Sequence, residues 1–288
     1  MKVCLLAIAK NEDHYIQEWV DYYLRWNFDD IFIIQDNWKA QLKHHSKIHL
    51  IDGYLPESES LDGCKQNKYY SEFIRKYNSI YDWIAIFDID EFFFSKHHND
   101  IHDFLKNKDD LPSIGIHWRM FGGQNILFND NYNVINRFNK SCKNCDFVFK
   151  SIYNMPKLKR IFGNDTINNV DLISVHTFKD ICYNNINGEN IRLYDTLQYG
   201  YDGSKISIEL EKVNQQELQS AKDNVYLAHY RKTYHEFKER YKNTNSEWWI
   251  QYMKSMNYDF KKIYDNLSPL SFSEIENLDL INFVKSHG

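Results

Sequence analysis

The sequence predicts an α/β protein with a mixed, mostly parallel central sheet flanked by helices and a helical C-terminal tail. Three observations lead there. Short apolar runs of strand length alternate with helix-spaced apolar residues through the first third of the chain, the pattern of βαβ crossovers. Each of those runs ends in a polar or acidic cluster, as strands do when their carboxyl ends share one edge. The run Trp83-Ile84-Ala85-Ile86-Phe87 has no polar alternation, which suits a central strand covered on both faces. With 288 residues, 43% of them hydrophobic and 16% aromatic, the chain can bury a large core. Only 10 Gly and 4 Pro exclude a linker-rich or low-complexity protein.

Taken in order, Val3 to Ala9 reads as the first strand. Its short apolar run resembles a secretory leader, but Lys10-Asn11-Glu12-Asp13 follows at once, so a buried strand is expected instead. Ile16, Trp19, Val20, Tyr23 and Trp26 then recur at helical spacing. Ile31 to Ile34 is a second strand ending at Gln35-Asp36-Asn37, and Ile48 to Ile51 a third, closed by Asp52-Gly53. Residues 62–79 read as a helix, and Trp83 to Asp88 as a fourth strand. Beyond it, a short helix over Ile101–Lys106 and strands over Ile114–Phe121, Phe147–Ile152, Leu172–Phe178 and Tyr226–Tyr230 suggest a mixed β region. Asn187-Gly188 signals a hairpin turn. From Tyr234 the chain is helical and aromatic, with Trp248, Trp249, Tyr252, Tyr258 and Phe260. Residues 1–235 are expected to form the main domain and 236–288 a helical extension packed on it.

The chemistry concentrates at Asp88-Ile89-Asp90-Glu91. Side chains alternate faces along a strand, so Asp88 and Asp90 are expected to share one face while Ile89 takes the other. Like charges that close repel unless a cation sits between them. A hard divalent ion, Mn²⁺ or Mg²⁺, answers that need and suits a diphosphate leaving group. The competing reading is a strand that ends in a solvated acidic turn. Neither Gly-x-Gly-x-x-Gly nor a P-loop is present, so phosphates would be held by metal and basic side chains. His229 is the candidate third ligand, since imidazole suits Mn²⁺; as a lone histidine near a strand it also reads as structural. Lys65, Lys68, Arg231 and Lys232 are candidate phosphate contacts, with solvated surface cations as the alternative.

The net charge of −5, from 35 basic and 40 acidic residues, argues against a nucleic-acid partner. Five cysteines (Cys4, Cys64, Cys142, Cys145, Cys182) show no disulfide framework and fit a reducing, cytoplasmic compartment. Cys142-Lys143-Asn144-Cys145 lacks the second ligand pair of a zinc site and is expected to carry free thiols. No run reaches the length of a membrane span. The aromatic tail with Lys254, Lys261 and Lys262 reads as helix packing, or as a peripheral contact with the inner membrane.

Leu6-Ala7-Ile8-Ala9-Lys10-Asn11-Glu12 with Ile16-Gln17-Glu18-Trp19-Val20 resembles the opening of nucleotide-sugar glycosyltransferases of the GT-A fold. More narrowly it is similar to glycosyltransferase family 92 and bacterial family-2-like relatives. The likeness continues through Ile31–Asn37, Cys64-Lys65-Gln66, Trp83–Phe92 with its DxD motif, Trp118–Gly123, Lys150-Ser151-Ile152, His176 and His229-Tyr230. It departs at Gln35-Asp36-Asn37-Trp38 and at Arg231-Lys232-Thr233-Tyr234. The resemblance implies a UDP-sugar donor (most often UDP-galactose), a glycan acceptor, a divalent metal and inversion at the anomeric carbon. By position it implies Asn11 and Glu12 at the nucleotide, Asp36 near the uracil or ribose, Asp88 at the ribose or metal, Asp90 at the metal, and His229 at the metal or diphosphate. Inversion needs a carboxylate base, for which Glu91, Asp171, Asp195 and Asp202 are candidates, Asp171 and Asp195 foremost. Trp118 and Phe121 are read as stacking on the acceptor or as core aromatics. The expectation is a metal-dependent hexosyltransferase in surface polysaccharide or lipooligosaccharide biosynthesis. The rivals are a metal-dependent phosphohydrolase and a non-catalytic saccharide-binding module.

Overall fold

The computed structural model describes residues 1–36, 39–53, 64–122, 133–143, 149–164, 167, 172–174, 177–178, 183–184, 190–191, 224–242, 247–267 and 275–287. The α/β class expected from the sequence is the one observed, a central sheet flanked by helices. Its parallel part is built from β1 (Val3–Ala9), β2 (Asp30–Asp36), β3 (Ile48–Gly53) and β4 (Trp83–Ile86). They lie in the order β3-β2-β1-β4, every neighbour parallel. The chain runs outward from β1 to β3 and then returns to the other side of β1. That reversal makes the carboxyl ends of β1 and β4 a topological switch point, the place where open α/β sheets bind ligands.

Both faces of this sheet are covered, and side-chain alternation divides the core accordingly. Leu5, Ala7, Ile31, Ile33, Trp83 and Ala85 point to one face, where α1 (Ile16–Arg25) lays down Ile16, Trp19, Val20, Tyr22 and Tyr23. Cys4, Leu6, Phe32, Ile34, Ile84 and Ile86 point to the other, beneath Tyr70, Phe73 and Ile74 of α2 (Cys64–Tyr77). Asn27, at φ 57, ends α1 in the left-handed conformation that asparagine tolerates.

The sequence reading carried the fourth strand through Asp88, but β4 stops at Ile86. A turn follows, closed by the Glu91 N–H donating to the Asp88 carbonyl at 3.1 Å. A separate strand, β5 (Glu91–Ser95), then begins. Asp88 and Asp90 therefore do not share a strand face as expected, because both belong to the turn. The physical reason is tertiary: Trp19 and the Glu91 carboxylate supply the partners that let the backbone leave the sheet.

After α3 (Ile101–Leu105), capped by Asp100, β6 (Ser113–Phe121) joins two sheet regions. Its first half pairs antiparallel with β8 (Phe149–Asn154), which pairs antiparallel with β4. Its second half pairs with β13 (Val225–Tyr230), itself antiparallel to β5. Between them lie α4 (Val134–Arg137) and β7 (Lys140–Ser141). The segment read as one strand over Leu172–Phe178 is two, β9 (Leu172–Ser174) and β10 (Thr177–Phe178), paired antiparallel. β11 (Tyr183–Asn184) and β12 (Asn190–Ile191) pair antiparallel around the expected hairpin, whose Asn187-Gly188 lies outside the described residues. A helix the sequence reading omitted, α5 (Met155–Phe162), adds Met155 and Leu158 to the α2 side of the core.

The helices α6 (Tyr234–Tyr241), α7 (Glu247–Ser255) and α8 (Phe260–Leu267) gather around Phe237, Met253, Ile263 and Tyr264. The Tyr264 hydroxyl donates to the Lys232 carbonyl at 3.0 Å. β14 (Ile275–Glu276) pairs with β7, and α9 (Asp279–Ser286) stacks Phe283 on Trp26 with 4.7 Å between ring centroids. Among the described residues no helix is long and apolar enough to cross a membrane.

Candidate active site

The turn after β4 is the centre of the site, and the backbone groups of Asp88 and Glu91 find partners there. The Trp19 indole N–H is shared between the Asp88 carbonyl at 2.9 Å and the Glu91 carbonyl at 3.0 Å. The Glu91 carboxylate reaches back to accept the Asp88 N–H at 2.8 Å. The Glu91 carbonyl also accepts the Tyr23 hydroxyl at 3.0 Å. Helix α1 and the first residue of β5 thus clamp the turn from below.

Lys150 supplies the charge balance. Register between β4 and β8 pairs Ala85 with Ile152, so Lys150, two residues earlier on β8, comes alongside Phe87, just before Asp88. Its ammonium sits 2.7 Å from Asp88 Oδ2 and 3.8 Å from Glu91 Oε1. Lys150 is 1% exposed, and Glu91 is wholly buried. Burial alone would favour neutral Lys150, but the Asp88 and Glu91 charges outweigh it and hold the ammonium above its ordinary pKa. Burial, reinforced by the Asp88 and Asp90 charges, pushes the Glu91 carboxyl well up despite Lys150. Buried Tyr70 of α2 faces the same charges, and burial first, then Asp88 and Glu91, raise its phenol.

Asp90 turns toward β13. His229 Nε2 lies 3.8 Å from Asp90 Oδ1, and the Tyr230 N–H donates to the Asp90 carbonyl at 3.0 Å. His229 faces the partly buried Trp118 ring, 4.3 Å between centroids. The β13 chain then continues into Arg231 and Lys232. Lys232 Nζ meets Glu12 Oε2 at 3.1 Å and lies over the Tyr15 ring at 4.6 Å. Glu12 itself follows Asn11, which turns the chain at φ 57 after β1. Just beyond, Thr233 and Glu236 form a capping box on α6: the Glu236 carboxylate accepts the Thr233 N–H at 2.9 Å and its hydroxyl at 2.8 Å.

The sequence-derived residues therefore divide. Asp88, Asp90 and His229 meet around the turn, and Glu12 and Lys232 meet beside it, 220 positions apart in the chain. Asp36 ends β2, nearly buried, with Lys10 Nζ at 3.7 Å. Asn11 is exposed. Lys65 begins α2, with its side chain outside the described residues. Lys68 is exposed, two positions from Tyr70 and so on the opposite side of that helix; α2 offers the turn Tyr70, not Lys68. Asp171, Asp195 and Asp202 lie outside the described residues, as do His176, Cys145 and Gly123. Glu91, carried as a candidate base, is buried with its carboxylate spent on the Asp88 N–H and Lys150, which removes it from contact with any acceptor. Phe121, 1% exposed, packs on Tyr230 at 4.8 Å and is a core aromatic. Sequence reasoning gave Lys150 no role, although a lysine inside an apolar strand run is a signal, since lysine is almost never buried unpaired.

The donor set can be tested against a divalent cation. Among the described residues no three His, Cys, Asp or Glu side chains form a metal-binding group. Asp88 is engaged by Lys150, leaving Asp90 and His229 side by side. Two protein donors suit a cation completed by water and substrate phosphate oxygens, the habit of Mg²⁺-type sites, and do not suit an all-protein cage.

No family model and no curated protein matches the chain. Among solved structures, the mannosyltransferase Ktr4p from S. cerevisiae is 11% identical at TM-score 0.28, over 58% of this chain and 59% of that one. Its complex with GDP is 12% identical at TM-score 0.31, over 58% and 60%. Core-mannan synthase A from Aspergillus fumigatus, in a Mn/GDP form, is 12% identical at TM-score 0.29, over 58% and 63%. The chain thus spans less than two thirds of these proteins, and superpositions this loose argue neither a shared fold nor a shared activity.

Proposed function

We propose that the protein is a GT-A-type, metal-dependent glycosyltransferase that moves a hexose from a nucleotide sugar to a glycan acceptor with inversion. The observation that carries the reading is the acidic turn at the carboxyl ends of β1 and β4, with Asp90 beside His229 and Glu12 paired to Lys232. In this reading the switch point takes the nucleotide between Asn11, Glu12 and Asp36. Lys232, held by Glu12, stands by the diphosphate. Transfer breaks the bond from the anomeric carbon to the β-phosphate oxygen while the acceptor hydroxyl attacks from the opposite face. A divalent cation held by Asp90 and His229 would neutralise the charge that develops on the leaving diphosphate. Asp171 and Asp195 are the proposed acceptors of the hydroxyl proton. By resemblance the donor is a UDP-hexose, UDP-galactose first; the Asn, Lys, Ile and Tyr richness of the chain suggests an AT-rich bacterial genome and so a setting in surface glycan synthesis on the cytoplasmic side of the inner membrane.

The test is nucleoside diphosphate release from UDP- and GDP-hexoses with Mn²⁺, Mg²⁺ or EDTA, with and without oligosaccharide acceptors. Donor- and metal-dependent release is expected, and Asp90→Asn is expected to abolish it while keeping the wild-type circular dichroism. Cleavage of simple phosphate esters would favour a phosphohydrolase, and saccharide binding with no turnover a binding module; either result sinks the proposal.

A further inference from the structure

We infer that Lys150 is a positioning residue: a built-in counter-cation that straps Asp88 into the turn and so presents Asp90 toward His229. The inference extends the proposed function, but its geometric part stands without it. Three carboxylates fall within four consecutive residues, Asp88 to Glu91, and the turn keeps the Asp88 and Asp90 charges close enough to act on the buried Glu91 carboxyl. Like charges packed this way would spread the turn or draw in a cation from solvent. Lys150 removes that need from within, its Nζ 2.7 Å from Asp88 and 3.8 Å from Glu91, from a strand whose register with both β4 and β6 fixes where its side chain can go. The Glu91 carboxylate, held beneath, keeps the Asp88 N–H. Asp88 is therefore a strut of the turn, and Asp90 is the carboxylate set beside the imidazole. The strap also explains why the two aspartates, one residue apart, make different contacts.

The experiment is a thermal-shift comparison of wild type and Lys150→Met in EDTA and in Mn²⁺, with turnover measured in parallel. Methionine keeps the stem and removes the charge. In EDTA, Lys150→Met is expected to melt roughly 5–10 °C below wild type, the scale of breaking a buried pair in a chain of this size. In Mn²⁺ it is expected to recover more than wild type gains, by about twofold or more, because the uncompensated acids now recruit the metal. A variant that is merely less well packed would show the first effect without the second. Turnover is expected to fall chiefly in kcat, with donor KM changed less. If Lys150→Met does not fold, Lys150→Met/Glu91→Gln removes an acid together with the base; its recovery as a folded protein with an enlarged Mn²⁺ shift supports the strap. A melting point within about 1 °C of wild type, a Mn²⁺ shift no larger than wild type, or a double variant that also fails to fold overturns it. Absence of turnover in the wild type would refute the glycosyltransferase reading and leave the thermal comparison to judge Lys150.

Discussion

Trp19→Phe probes the clamp beneath the acidic turn most directly. The indole N–H is shared between the carbonyls of Asp88 and Glu91, at 2.9 and 3.0 Å, from a side chain with no solvent exposure. Neither carbonyl is orphaned by the substitution: Asp88 keeps the Glu91 N–H at 3.1 Å, and Glu91 keeps the Tyr23 hydroxyl at 3.0 Å. The polar loss is therefore that of one shared hydrogen bond, about 1 kcal/mol. The volume lost where the indole packs edge-on to Tyr23, at 4.7 Å, adds roughly 1–2 kcal/mol. A total of about 2–3 kcal/mol lowers Tm by ~4–6 °C in a chain of this length. The turn also loses the side-chain donor that anchors both its ends to α1, so kcat in the metal-dependent assay falls ~10–100-fold, the scale of a small misplacement of reacting groups. Val20→Ala, cut from the same face of the same helix, should match the drop in Tm but not the drop in kcat. The reasoning is refuted if Trp19→Phe melts with wild type, or if its kcat falls no further than that of Val20→Ala.

Other outcomes are equally specific. Lys232→Met removes the ammonium 3.1 Å from Glu12 Oε2 and is expected to lower Tm and raise donor KM; a Tm and a donor KM both equal to wild type would refute the pairing. At the opposite edge of the sheet, burial works to raise the Asp30 carboxyl, but hydrogen bonds from Tyr81 at 2.7 Å and His49 at 2.6 Å, with Lys2 at 3.1 Å, outweigh it and depress it. A depressed folded-state pKa means stability present above the unfolded value, near 4, and lost as pH falls through the folded value. Asp30→Asn should therefore melt below wild type at neutral pH, with the gap closing as pH falls below about 4; a pH-independent gap contradicts this. Gly53→Ala would set a Cβ 2.8 Å from the Tyr69 hydroxyl and 3.0 Å from Ile34 Cγ2, costing about 1–3 kcal/mol in a denaturant titration.

The amino-acid sequence by itself determined the layers of this protein. Val3–Ala9 and Trp83–Ile86 are recognisable as covered strands because unbroken apolar runs need no partner to be identified, and Ile16, Trp19, Val20 and Tyr23 trace one helix face for the same local reason. The concentration of chemistry at Asp88–Glu91 was legible too, since acids at a strand end are a matter of neighbours in the chain. Only the tertiary structure decided what those acids do. β5 is hidden in the sequence because Asp88-Ile89-Asp90-Glu91 reads equally as a strand end or as an acidic turn, and the bend that separates it is held by Trp19, some 70 residues away. The Lys150 strap and the Glu12–Lys232 pair likewise follow from strand register and chain return. Local periodicity says which face a residue takes; it does not say which distant residue the sheet will bring opposite it.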